Sequence, residues 1–232
     1  MEKITVTERG ENLSFMSYLH AKMLDKFSFL PKGCKVEERG ERSSLVLVAE
    51  KKYCPYIRKF AEYNIAEVIA VGYKHRFFKR ALHLPMLSEE EKETLYASLV
   101  AADLAEDTEY IRHRLCGERE YCIDGTFHFK LGALKERWEK IISYIPPEFT
   151  SDTLISFVEF LVEEGGGKVF LKGDDVYDEE YRLLTRSSLI GKPSQKNEVL
   201  LSGAGEVYCF GSVDEKTGEF LKKYYKEKAV FC

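Results

Sequence analysis

The sequence predicts an α+β protein, and three observations predict it. Residues 3–7 and 44–49 alternate in polarity and are rich in β-branched side chains, the pattern of half-buried strands. Between residues 53 and 165, apolar side chains recur at three- and four-residue spacing, the period of a helix with one buried face. After the glycines at 165–167 the period changes to strand, helix and strand. The expected architecture is an N-terminal βαββ unit over 1–52, a central helical bundle over 53–165 and a small C-terminal α/β unit over 166–232. Neither mixed unit has enough core to stand alone, so the two are expected to join or flank one sheet.

Each element follows from local signals. Leu13, Met16, Leu19, Met23, Leu24 and Phe27 mark a helix over 11–27 that Pro31 and Gly33 stop. Residues 34–38 and 44–49 form two strands joined by a turn at Arg39-Gly40-Glu41-Arg42. Pro55 stands in the first turn of the next helix, whose buried stripe is Ile57, Phe60, Ala61, Ile65, Val68, Ile69 and Gly72. Ser88-Glu89-Glu90-Glu91 is a capping box and fixes another helix start, with Leu95, Leu99 and Ala102 inside.

A further helix begins near Asp107. The next runs from Asp124 through Phe127, Leu131, Leu134, Trp138, Ile141 and Ile142 without a break until Pro146-Pro147. Thr150 caps a helix carrying Leu154, Ile155, Val158, Leu161 and Val162 inside. In the tail, 168–172 and 206–210 are strands and 178–187 is either a strand pair or a short helix. Residues 191–197 are a loop, 214–226 a helix and 229–232 a last strand. The strand–helix–strand ending implies parallel pairing.

Composition bounds the function. The chain has 232 residues, 44% hydrophobic and 32% charged, with 15 Phe, 14 Tyr and one Trp, an ordinary globular balance with ample core material. The net charge of −4 does not mark the whole chain as a nucleic-acid binder. No apolar run reaches the ~20 residues of a membrane span, and the first residues are charged where a signal peptide needs an apolar block. The expectation is a cytoplasmic protein without a membrane partner. Six scattered cysteines then read as free thiols.

Catalytic and cofactor signatures are absent. His113, Cys116 and Cys122 lack both a fourth ligand and zinc-site spacing, so no metal is expected. Gly203-Ala204-Gly205 precedes a strand rather than a helix, which is wrong for a phosphate cradle, and no cofactor is expected. The acids around 163–180 read as a solvated rim.

One segment mixes ring and cation chemistry. Tyr73, Lys74, Arg76, Phe77, Lys79 and Arg80 combine residues that stack on bases with residues that bind phosphate. Residues 51–80 carry eight Lys or Arg against two acids, and residues 86–120 carry ten acids against four bases. The simpler reading is that these opposite blocks neutralise each other and that the rings are core. The alternative is a nucleic-acid site at 73–80.

From residue 53 to the end the chain resembles the YtxC-like family of sporulation-associated proteins. The resemblance runs through the helix from Tyr56 to Ile69, Phe77-Phe78, Leu87-Ser-Glu-Glu-Glu-Lys92 and Ile123 to Leu131. It continues in Leu154 to Val162, Val169-Phe-Leu171, Val176-Tyr-Asp178, Leu200-Leu-Ser202 and Lys228 to Cys232. It implies a role in sporulation and offers no catalytic residues. Relatives are expected to continue beyond Phe231-Cys232 with more cysteines. The functional expectation is therefore a non-enzymatic cytoplasmic protein that binds a protein partner. A nucleic-acid binder, or an enzyme with a small-molecule pocket, is the alternative.

Overall fold

In the computed structural model the described residues are 1–27, 33–118 and 120–232. In chain order the elements are β1 (Glu2–Arg9), α1 (Leu13–Lys26), β2 (Cys34–Arg39), β3 (Arg42–Ala49), α2 (Cys54–Glu67) and α3 (Lys74–Ala81). Next come α4 (Glu89–Ala102), α5 (Leu104–Leu115), β4 (Tyr121–Cys122), α6 (Ile123–Lys130), α7 (Gly132–Ser143) and α8 (Ser151–Glu164). The chain closes with β5 (Lys168–Lys172), β6 (Asp175–Tyr177), α9 (Gln195–Ser202), β7 (Glu206–Phe210), α10 (Glu215–Tyr224) and β8 (Ala229–Phe231). This is an α+β fold. It forms two compact units, Met1–Lys74 with Ala105–Glu139, and His75–Leu104 with Lys140–Cys232. The helices read between 53 and 165 are shared between them.

The first unit is built on a sheet of order β2-β3-β1-β4. The alternation read in β1 and β3 puts Ile4 opposite Leu47 and Val6 opposite Leu45, all fully buried. Burying one such side chain contributes roughly 1.5–3 kcal/mol. Phe15, Met16, Leu19 and Met23 of α1 are buried, and α1 packs on β2 and β3. The β2–β3 turn uses Gly40 at φ +61, a left-handed conformation that glycine adopts without a Cβ clash.

Between α2 and α3 lies one π-helical segment, Val68–Tyr73, in which the Lys74 N–H donates to the Ile69 carbonyl five residues back. Single π turns inside helices often accompany functional or crowded positions. Here Val68, Ile69, Ala70, Val71 and Gly72 are all buried, so crowding is the observed condition.

The second unit is built on a sheet of order β6-β5-β7-β8, with β7 parallel to both β5 and β8, and β6 antiparallel to β5. One face carries Val169, Leu171, Val176, Val207 and Cys209, all buried, and α9 packs on this sheet. Helices α4 and α10 pack with α9, and α8 packs on α4 and α10. The capping box at Ser88 is present, with Ser88 Oγ accepting from the Glu91 N–H and the Glu91 carboxylate accepting from the Ser88 N–H. Thr150 and Asp214 cap α8 and α10 through their side chains alone, which accept from the Thr153 and Thr217 N–H groups.

Several expectations are corrected. The two mixed units do not share a sheet. β1 pairs with β3 on one side and with Tyr121–Cys122 on the other, so its partners come from its own unit. The helix read over 124–142 breaks at Leu131, whose φ of −113 and ψ of 34 are not helical, and it divides into α6 and α7. α5 begins at Leu104 rather than near Asp107. Residues 195–197, read as loop, open α9 after Pro193 and Ser194. Residues 178–187 form neither alternative cleanly. A turn with one bridge, Tyr177 to Leu183, leads into a 3₁₀ turn at Arg186–Leu189. Ala102 is exposed and Phe60 is only half-buried, against their expected inward places. The helix stop read at Pro31 lies outside the described residues.

Candidate functional site

Segment 73–80 is mostly committed to the protein itself. The Tyr73 hydroxyl donates to Glu8 Oε2 at 2.8 Å, and its ring lies 4.5 Å from Phe127 and 5.6 Å from Phe15, centroid to centroid. Lys74 is fully buried, with Nζ 2.8 Å from Asp107 Oδ2. The same carboxylate accepts from Trp138 Nε1 at 2.9 Å and from Arg137 Nη2 at 2.5 Å. Lys74 also sits 5.9 Å from the Trp138 ring centroid. In the second unit His75 Nε2 and Lys79 Nζ meet the two oxygens of Glu93 at 3.1 and 2.5 Å. Phe78 is buried, Arg76 and Phe77 are half-buried, and Lys79 and Arg80 are exposed. The opposite charge blocks therefore meet, but through pairs made separately inside each unit.

Three carboxyl groups shifted by their surroundings are accounted for by near neighbours. Hydrogen bonds from His75, then from Lys79, hold the Glu93 carboxyl at about 2 against the opposing effect of burial. Burial pushes the Glu8 carboxyl up, opposed by donors from Asn12, the Arg9 N–H and Tyr73. Burial likewise raises Glu198, which accepts from the Ser187 and Arg186 N–H groups. Each is accounted for by local structure. The metal reading of His113, Cys116 and Cys122 gains nothing: His113 pairs with Glu109, and Cys122 Sγ accepts from Arg42 beside Asp124. Among the described residues no group of three His, Cys, Asp or Glu side chains could hold a metal ion. The cysteines are free thiols, with Cys34, Cys54 and Cys209 buried.

A concave site of the first unit lies elsewhere on the same basic block. A groove of about 550 Å³ is lined by Lys26, Phe27, Tyr53, Tyr56, Lys59, Phe60, Tyr63 and Arg112. Such a volume suits a small ligand or a short segment of chain. Helix α2 supplies most of one wall, because Tyr56, Lys59, Phe60 and Tyr63 fall at three- and four-residue spacing beside its buried stripe. The end of α1 supplies Phe27, whose ring meets Phe60 edge-to-face at 5.3 Å, and α5 supplies Arg112.

Tyr56 is 72% exposed and Tyr63 42%, so their ring faces are open to an incoming group. Among the described residues, five aromatic side chains and three cations line the groove and no acid does. Arg112 is braced by Glu109 at 2.7 Å outside that lining. The arrangement offers stacking, apolar burial and positive charge together.

The ring and cation types read at 73–80 belong to the same basic block as the groove, which lies along residues 53–63. The available signal was the recurrence of Tyr53, Tyr56, Phe60 and Tyr63 along α2, which was partly absorbed into the buried stripe. No family model, curated protein or solved structure matches the chain.

Proposed function

We propose that this protein is a non-enzymatic recognition protein whose first unit holds an acidic, aromatic-containing segment of a protein partner in the groove along α2. The observation that carries the reading is the lining itself: five rings, three cations and no carboxylate among the lining residues. Tyrosine-rich concave surfaces concentrate binding energy because each ring buries a large area while losing few rotamers. The cations select the sign of the partner and speed its approach. A sporulation setting and a cytoplasmic location belong to the same proposal and rest on the sequence resemblance.

The test is a fluorescence-anisotropy titration of the full chain with a labelled peptide alternating Glu with Phe or Tyr, beside an equally acidic peptide lacking rings and a single-stranded oligonucleotide. The aromatic peptide binds best. Tyr56→Ala and Tyr63→Ala each weaken it about five- to tenfold, and Lys59→Glu weakens it further. Equal binding of the ringless peptide, or binding indifferent to all three substitutions, refutes the groove. Preferential oligonucleotide binding lost on Lys79→Ala with Arg80→Ala returns the site to residues 73–80.

A further inference from the structure

The second unit carries an aromatic surface that its own helices leave open. In β5 the side chains alternate, so Val169 and Leu171 enter the core while Lys168, Phe170 and Lys172 point the other way. The strand register continues this outer face: Phe170 stands between Tyr177 on β6 and Tyr208 on β7, and Lys172 stands beside Phe210. Phe170 is the hub of the cluster, 5.8 Å from Tyr208 and 6.1 Å from Phe210, centroid to centroid. Phe210 is 44% exposed.

A fourth ring is delivered by a turn built for the purpose. The Asp178 carboxylate accepts from the Glu180 and Arg182 N–H groups and from Arg182 Nε, and the Tyr181 N–H donates to the Asp178 carbonyl. This folding leaves Tyr181 at φ +56, a left-handed conformation uncommon for a bulky residue. Its ring stacks on Phe170 at 5.1 Å with 8° between planes, yet Tyr181 stays 70% exposed. A strained backbone that holds a tyrosine over an open sheet is not explained by core packing.

The charge at this face is the opposite of that in the groove. Asp174, Asp175, Asp178, Glu179, Glu180 and Glu206 stand on the face or along its β6 edge, against Lys168, Lys172, Arg182 and Lys228, whose charge reaches Glu206. Lys168 is paired with Glu206 at 3.2 Å, and Arg182 with both Asp178 and Glu180. The excess is negative.

We propose that the outer face of the C-terminal sheet docks an arginine-rich segment of a partner protein. Guanidinium groups stack flat on Tyr and Phe rings while keeping their charge, and they fork onto carboxylates in a way that lysine cannot. A nucleic-acid strand also stacks on rings, but its phosphates would face an excess of carboxylates. This site is on another unit from the groove and does not depend on it.

The experiment titrates the full chain with a fluorescein-labelled peptide alternating Arg and Ser, beside its Lys–Ser counterpart of equal charge and an oligothymidine. The arginine peptide binds tightest. Tyr181→Gly, which accepts the left-handed backbone and removes only the ring, weakens it about two- to fivefold. Asp175→Lys with Glu179→Lys, both at exposed positions, weakens it about tenfold or more. Tyr56→Ala leaves it unchanged, and circular dichroism verifies that each variant is folded. Equal affinity for the lysine peptide, no loss in Tyr181→Gly and the charge-reversed variant, or oligothymidine binding that depends on Tyr181 overturns the proposal.

Discussion

Replacing Asp107 with alanine tests whether the basic segment is structural. Asp107 is 1% exposed and accepts from Lys74, Trp138 and Arg137. Its removal takes a carboxylate from the Lys74 ammonium, itself fully buried, and an acceptor from the indole N–H. Arg137, 48% exposed at its side chain, can turn to water. Breaking a buried pair from one side costs about 3–5 kcal/mol, so about 4 kcal/mol is expected for the first unit.

The chain has a single tryptophan, Trp138, buried in this cluster, so its fluorescence reports the first unit alone. With a urea slope near 2 kcal/mol per molar, the midpoint falls by about 2 M. Adding Lys74→Met to Asp107→Ala removes the buried ammonium and restores more than half of the loss. A midpoint shift under about 0.5 M, or a double variant no more stable than the single one, refutes the reasoning.

Other outcomes follow from the second unit and from the thiols. Glu93 is held at about 2 by His75 and Lys79, so its contribution is present above the unfolded carboxylate range and disappears as pH falls through about 2. Urea midpoints of the wild type therefore drop more steeply between pH 5 and pH 2 than those of Glu93→Gln, and parallel curves contradict this. A Cβ at Gly205 would stand 2.4 Å from the Gly165 carbonyl oxygen, a backbone contact that cannot swing aside. Gly205→Ala therefore destabilises the second unit by about 1–3 kcal/mol in denaturant titrations, whereas Gly166→Ala, which meets nothing within 4 Å, changes it little. Ser88→Ala dissolves the capping box and costs about 1 kcal/mol in the same assay. Maleimide labelling followed by mass spectrometry modifies the exposed Cys116 and Cys232 first. Cys34, whose thiol burial pushes up to about 11, reacts only on unfolding.

What could be read from the sequence was local. Ser88, Thr150 and Asp214 declare helix starts within four residues, and the alternation in β1 and β3 declares both strands and their inner faces. What could not be read depended on distant partners. Tyr121–Cys122 is a strand only because β1 offers an edge more than a hundred residues earlier in the chain. Whether the two mixed units shared a sheet was equally a matter of long-range pairing. Leu131 interrupts a stripe whose spacing is otherwise continuous, so the break between α6 and α7 left no trace in the period.

The sites show the same division. Ring and cation types were visible in 53–80. Which of them open to solvent depended on Asp107 and Glu93 claiming Lys74, His75 and Lys79, and on Phe27 and Arg112 arriving from other helices to make a concave wall. The outer sheet face was written in Lys168-Val-Phe-Leu-Lys172, but the Tyr181 turn that crowns it was ambiguous without the Asp178 hydrogen bonds.

The most direct test is hydrogen–deuterium exchange on the full chain with and without the acidic aromatic peptide. Slowed exchange confined to residues 26–27, 53–63 and the α5 stretch around Arg112 is the predicted footprint. Protection centred on residues 76–80, with the groove unchanged, contradicts the account.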